Sequence, residues 1–201
     1  MPIPVQLAPG DWVDEQAGVQ WTSLDSAAKH ERLLCAAGRV FARDGLDAPM
    51  PTVAAEAGAG VASLYRQFPS KHDLVAALVV RRLEQIADAA NEAAERTGDH
   101  WNAMTEMLWT IVERRTGDDF LGQAWAHVAD HPDVAAATEV TMAALDRLLI
   151  AAKADGRLRA DATTLDLKLL FAATRSAKEV EPEAWQRMLA LLIDALDTRR
   201  G

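Results

Sequence analysis

A chain of 201 residues, 50% hydrophobic and 25% charged, has apolar material for a substantial core, in one domain or two small ones. That balance excludes a disordered tail or a fibre. The single cysteine, Cys35, excludes an internal disulfide and fits a reducing, cytoplasmic compartment. The net charge of −9 argues against a nucleic-acid partner, yet residues 26–82 hold eight Lys/Arg against five Asp/Glu, a basic segment inside an acidic chain.

Residues 1–25 carry three prolines, two glycines and the indoles of Trp12 and Trp21. They read as an irregular extension, part of which docks on the body because indoles are costly to leave in water. Asp11, Asp14 and Glu15 stand where a signal peptide has a basic region, and no long uncharged apolar stretch follows, so no membrane partner is expected. Leu33, Leu34, Ala37, Val40 and Phe41 at helical spacing predict a first helix from Ser26 to Asp44, stopped by Gly45. A short helix opens at Pro49, tolerates Pro51 in its first turn, and ends at Gly58. A second short helix runs from Val61 to Phe68, with Leu64 and Phe68 inward, and Pro69 breaks it. Ser70 caps a long helix towards Gly98, with Asp73 complementing the dipole in its first turn. Further helices are predicted over 101–116, 120–130, 133–154, 162–178 and 182–198. No segment alternates as a strand does, so the fold class is all-α.

Two short helices joined by a glycine-containing turn and flanked by longer ones form the helix-turn-helix pattern. The second helix of such a pair enters the major groove, which favours small or polar side chains on its outer face. Val61, Ala62, Ser63, Arg66 and Gln67 meet that requirement. Periodicity alone leaves a plain helical hairpin equally open.

The stretch GLDAPMPTVAAEAGAGVASLYRQFPSKHDLVAAL resembles the DNA-binding domain of the TetR (tetracycline-repressor) family, most specifically over Leu64-Tyr65-Arg66-Gln67-Phe68-Pro69-Ser70-Lys71. Ala57-Gly58 upstream and Leu74 downstream belong to the match, which covers residues 30–82. Ala59, Ala62 and Gln67 stand where Val, Gly and His or Tyr are usual, and an acidic extension replaces the basic arm often found before the first helix. The resemblance implies an N-terminal three-helix helix-turn-helix DNA-binding domain, residues 26–75, and a C-terminal helical ligand-binding and dimerisation domain, residues 76–201, with 1–25 as the extension. By the same resemblance Thr52 and Lys71 hold phosphates, Tyr65 and Arg66 touch backbone or base edges, and Val61, Ala62 and Ser63 face the bases beside Gln67. Hydroxyls, cations and helix N-termini are the usual phosphate ligands.

It further implies a homodimer formed through the last two helices, with Leu167, Phe171, Trp185, Leu189, Leu192 and Leu196 as the apolar contacts. Its double-stranded DNA operator is then near-palindromic. Aromatic and methionine side chains suit an apolar pocket, and Met104, Trp109, Trp125, Met142 and Phe171 are its candidates for an unknown small-molecule effector. The same residues at helical spacing are more often ordinary core. His127 and His131 stand four apart with Asp130 between them, but a third ligand is not apparent, so no metal is expected. No catalytic motif is present and no cofactor is implied, so the chain reads as a ligand-responsive repressor rather than an enzyme. The alternative is a helical small-molecule-binding protein or enzyme with no DNA role.

Overall fold

The computed structural model describes Trp12 and residues 18–96, 98–115 and 119–199. Among the described residues the chain forms nine α-helices: α1 Ser26–Asp44, α2 Met50–Glu56, α3 Val61–Gln67, α4 Lys71–Glu95, α5 His100–Arg115, α6 Asp119–Val128, α7 Pro132–Ala154, α8 Thr164–Val180 and α9 Ala184–Leu196. A 3-10 turn at Trp21–Ser23 precedes them. Apart from Trp12 and 18–25, the expected irregular extension lies outside the described residues. None of the described helices is long and apolar enough to cross a membrane.

The chain divides into two compact units. One takes the residues up to Arg82 together with Arg114–Ala136; the other takes Leu83–Glu113 and Ala137–Gly201. The boundary expected from the sequence lies at residues 75–76. The division falls within α4 at Arg82 and Leu83, and α6 belongs with the first unit, where it packs against α1.

In the first unit, Asp25 caps α1 by accepting the Ala28 amide at 2.8 Å. Gly45, at φ 79°, ends it while its N–H reaches the Phe41 carbonyl. The buried face of α1 carries Leu33, Leu34, Val40 and Phe41, and α2 and α3 add Val53, Ala54 and Leu64. Trp12 lies over α1 and is buried there, as its indole requires. The α4 helix opens on a reciprocal cap: the Asp73 amide donates to Ser70 Oγ, and the Ser70 amide donates to Asp73 Oδ2.

The second unit packs the rest of α4 and α7 with α5, α8 and α9 around Met104, Leu108, Leu145, Leu148, Leu149, Leu167, Leu170 and Leu189. Thr163 and Asp166 cap α8 in the same reciprocal manner, and α8 and α9 pack against each other. Behind them Arg157 donates to the buried Asp197 carboxylate at 3.0 Å.

The residues expected at a dimer contact lie in or against that core. Leu167, Trp185, Leu189 and Leu196 are all buried inside their own chain, and Phe171 and Leu192 pack partly against the same cluster. The stripe on α9 thus serves the intrachain core, where Trp185 meets Trp109 edge-on at 6.0 Å between ring centroids. The apolar side chains that α8 and α9 leave exposed are Leu165, Leu169, Val180 and Leu191. Four of the five residues of the expected pocket set lie in or beside that core. Met104 is fully buried in the core, Trp109 is exposed at its edge, Met142 and Phe171 flank it, and Trp125 is an exposed residue of the other unit.

Candidate nucleic-acid interface

The turn between α2 and α3 is built by backbone. Ala57 closes on Val53, the Ala59 amide returns to the Ala54 carbonyl at 2.8 Å, and Gly58, at φ 65°, supplies the left-handed residue that lets the chain reverse. The chain re-enters a helix after Gly60, whose carbonyl accepts the Ser63 and Leu64 amides. Leu64 is fully buried and Phe68 nearly so, and Phe68 lies against His30 of α1 at 4.9 Å between ring centroids. These anchors fix which side of α3 faces out.

On the outward side, Val61, Ala62, Tyr65 and Arg66 are exposed, with Ser63 and Gln67 half-buried at its margin. Val61 and Tyr65 are left 40% and 45% accessible there. The Arg66 guanidinium donates to Ser63 Oγ at 2.7 Å, one turn back. The Ser63 hydroxyl thus keeps its own proton for an outside acceptor while it steadies the arginine. Lys71, the first residue of α4, holds its ammonium 5.7 Å from the Phe41 ring centroid. Thr52, half-buried in the first turn of α2, gives its amide to the Pro49 carbonyl.

The basic excess of residues 26–82 is largely consumed within the unit. Arg39 donates to Glu56 at 2.9 Å and to the Trp12 carbonyl at 2.7 Å. Arg43 pairs with Asp44 and Glu56, Arg32 donates to the Val19 carbonyl, and Arg81 pairs with Glu31 at 3.0 Å. These contacts act on the acids as well. The Arg39 guanidinium holds the Glu56 carboxyl below its usual value, and Arg43 does the same for Asp44. Among the described residues, Lys29, Arg66 and Lys71 are engaged by no carboxylate.

Sequence reasoning did not single out Lys29 and Trp21 for this surface. Together with Leu24, Asp25, Ser26, Ser63, Arg66 and Gln67 they line a cavity of about 300 Å³ beside α3. The Lys29 ammonium lies 6.0 Å from the Trp21 ring centroid. Only the packing of the 3-10 turn reveals this, since no spacing in the sequence links residue 21 to residue 66. His127 Nδ1 faces the Gln123 carbonyl at 2.9 Å.

Residues 33–78 match the family model described as bacterial regulatory proteins, tetR family. Residues 101–198 match the model described as transcriptional regulator SbtR-like, C-terminal domain. Among solved structures, a TetR transcriptional regulator from Streptomyces coelicolor is 25% identical with a TM-score of 0.64, covering 84% of this chain and 98% of its own. A TetR transcription regulatory protein from Mycobacterium vanbaalenii is 28% identical with a TM-score of 0.59, covering 86% and 97%. SmeT, the repressor of the Stenotrophomonas maltophilia multidrug efflux pump SmeDEF, shares the fold at 20% identity and a TM-score of 0.61, over 83% of this chain and 87% of its own; its complex with triclosan also matches. Comparison with curated proteins returns no match.

Proposed function

Because the chain belongs to the TetR family of bacterial transcriptional regulators, we propose that it is a ligand-responsive repressor that reads a near-palindromic operator as a homodimer. The observation that carries this reading is the outward face of α3. Leu64 and Phe68 pin the helix, Val61, Ala62, Ser63, Tyr65, Arg66 and Gln67 are offered to a groove, and Lys71 stands at the next helix start for a phosphate. Thr52 adds a hydroxyl at the start of α2 for the same backbone.

Dimerisation is assigned to the exposed side of α8 and α9. Leu165 and Leu169, one helical turn apart, are 60% and 58% accessible, and Leu191 is exposed on α9. Two copies of this helix pair make a four-helix contact around a two-fold axis. A small-molecule effector is in keeping with the complex of SmeT with triclosan, and its site is assigned to the second unit. An effector that prefers one arrangement of the two reading helices lowers operator affinity through that preference alone.

A gel shift on the DNA flanking the protein's own gene tests the reading. Retardation at physiological salt, competed by the specific duplex and not by random DNA, supports it. Equal competition by both overturns it.

A further inference from the structure

His72 and Asp73 are neighbours in the first turn of α4, and His131 lies in the turn between α6 and α7; all belong to the first compact unit. Successive residues on a helix diverge and do not chelate an ion by themselves. Here His131 comes between them. One ligand atom from each of the three lies within 4.8 Å of the others.

The arrangement is held in place from several sides. The Ser70 amide and hydroxyl both donate to Asp73 Oδ2, so the helix cap leaves Oδ1 facing His131 Nε2 at 3.5 Å. The two imidazole centroids are 5.4 Å apart, with their planes tilted by 42°. Asp130 Oδ1 lies 3.5 Å from His72 Nε2, and Asp133 Oδ2 lies 3.9 Å from His131 Nδ1. Two imidazoles are thus gathered among three carboxylates. The nearest lysine in sequence, Lys71, turns its ammonium to the Phe41 ring.

We propose that His72, Asp73 and His131 form a binding site for a divalent transition ion of the zinc class, which ties the α6–α7 turn to the first turn of α4. Two imidazole nitrogens and one carboxylate are a donor set for Zn²⁺, Co²⁺ or Ni²⁺, whereas Mg²⁺ and Ca²⁺ take oxygen. Ligand atoms around a tetrahedral ion with bonds of about 2.0–2.1 Å stand about 3.4 Å apart. Asp73 and His131 already have that spacing. The exposed His72, whose ligand atom lies within 4.8 Å of the other two, closes the remainder by a small rotamer adjustment. Water or the Asp130 carboxylate fills the fourth position. His131 Nδ1 now accepts the Asp133 amide at 3.3 Å; with Nε2 on the metal the proton moves to Nδ1, that hydrogen bond is given up, and the Asp133 carboxylate, 3.9 Å away, becomes the acceptor.

The test is calorimetric titration of tag-free full-length protein with Zn²⁺ in a non-chelating buffer, with Co²⁺ absorption as a second reading. One saturable ion per chain is expected, with the intense visible bands of tetrahedral Co²⁺. His72→Gln and His131→Gln should each weaken binding at least tenfold, and His127→Gln should leave it unchanged. His72 is exposed, so its variant tests the site even if His131→Gln fails to fold. Absence of saturable binding, or equal affinity in His72→Gln and wild type, overturns the proposal. The titration contains no DNA, so its failure leaves the operator-binding reading untouched.

Discussion

The indole of Trp12 occupies the space that a side chain at residue 38 would fill: a β-carbon built on Gly38 overlaps the ring. Gly38 lies inside α1, where glycine ordinarily costs about 1 kcal/mol relative to alanine. The helix thus carries a weaker residue, and the slot it leaves admits the extension. Arg39 clamps the Trp12 carbonyl, and the Arg81 guanidinium lies 5.5 Å from the ring centroid. Gly38→Ala should therefore invert the usual result. We expect the indole to be expelled, tryptophan emission to shift to the red, and limited proteolysis to cut between residues 12 and 25 faster than in wild type. Unchanged proteolysis with a raised Tm would show that Trp12 does not hold the extension.

Removal of residues 1–20 should separate docking from DNA binding. The deletion takes away Asp11, Asp14 and Glu15 but keeps the Asp25 cap of α1 and Trp21 beside α3. Stability should fall because α1 loses the Trp12 cover. Operator affinity should stay equal or rise, since three negative charges leave the vicinity of a polyanion. A loss of affinity beyond tenfold with an intact circular-dichroism spectrum would mean that the extension itself contacts DNA.

Leucines on α8 and α9 should respond to charge in two distinct ways. Leu165→Glu with Leu169→Glu should leave the fold intact and shift sedimentation towards the monomer, because these side chains are exposed on the isolated chain. Leu189→Glu should instead unfold the second unit by placing an unpaired carboxylate among Met104, Leu148 and their neighbours. An unchanged dimer in the first variant would move the interface elsewhere.

Arg157 and Asp197 give a pH-dependent prediction. Burial alone would raise the Asp197 carboxyl, but the Arg199 amide and the Arg157 guanidinium together hold it below its ordinary value. A carboxyl depressed in the folded state contributes stability above its unfolded pKa, about 3.9, and loses that contribution as pH falls through the folded value. Arg157→Met keeps an apolar body over Trp101 and removes the charge. Urea unfolding at pH 7 should show a loss of about 1–3 kcal/mol. The difference from wild type should narrow in acid, where Asp197 is protonated in both. A difference constant with pH would assign the loss to packing.

The helix boundaries were legible because local chemistry sets them. Asp25, Gly45, Pro49, Gly58, Pro69 and Ser70 act within one turn of themselves, and the observed ends fall within a few residues of these signals. What a stripe packs against was not legible. The spacing of Trp185, Leu189 and Leu192 announces an apolar face, and the same spacing serves a partner chain or the chain's own core. The basic count over residues 26–82 likewise does not say where each cation goes, since Arg39, Arg43 and Arg81 face carboxylates that no local pattern pairs with them. His72 and His131 meet only through the packing of the α6–α7 turn against the start of α4. Such contacts are tertiary and leave no periodic trace.

The reading head itself is tested by three substitutions with different signatures. Lys71→Ala removes a cation at a helix start that no described carboxylate engages. If it holds a phosphate, affinity should fall across all sequences, and the slope of log K against log salt should drop by about 1 per site, hence about 2 for a dimer. Ser63→Ala should act on sequence preference instead, relaxing one position per half-site by about 1–3 kcal/mol. It also releases Arg66 from its 2.7 Å hydrogen bond. Ser63→Ala and Arg66→Ala should therefore be non-additive in a double-mutant cycle, the double variant costing less than the sum of the two. Tyr65→Phe keeps the exposed ring and removes only the hydroxyl, so any loss of affinity without loss of Tm belongs to a DNA contact. The half-sites should lie about 34–36 Å apart, one helical turn, or a wider related spacing, as footprinting will show. If all three variants bind the operator as wild type does at physiological salt, α3 does not read DNA and the proposed mechanism is wrong.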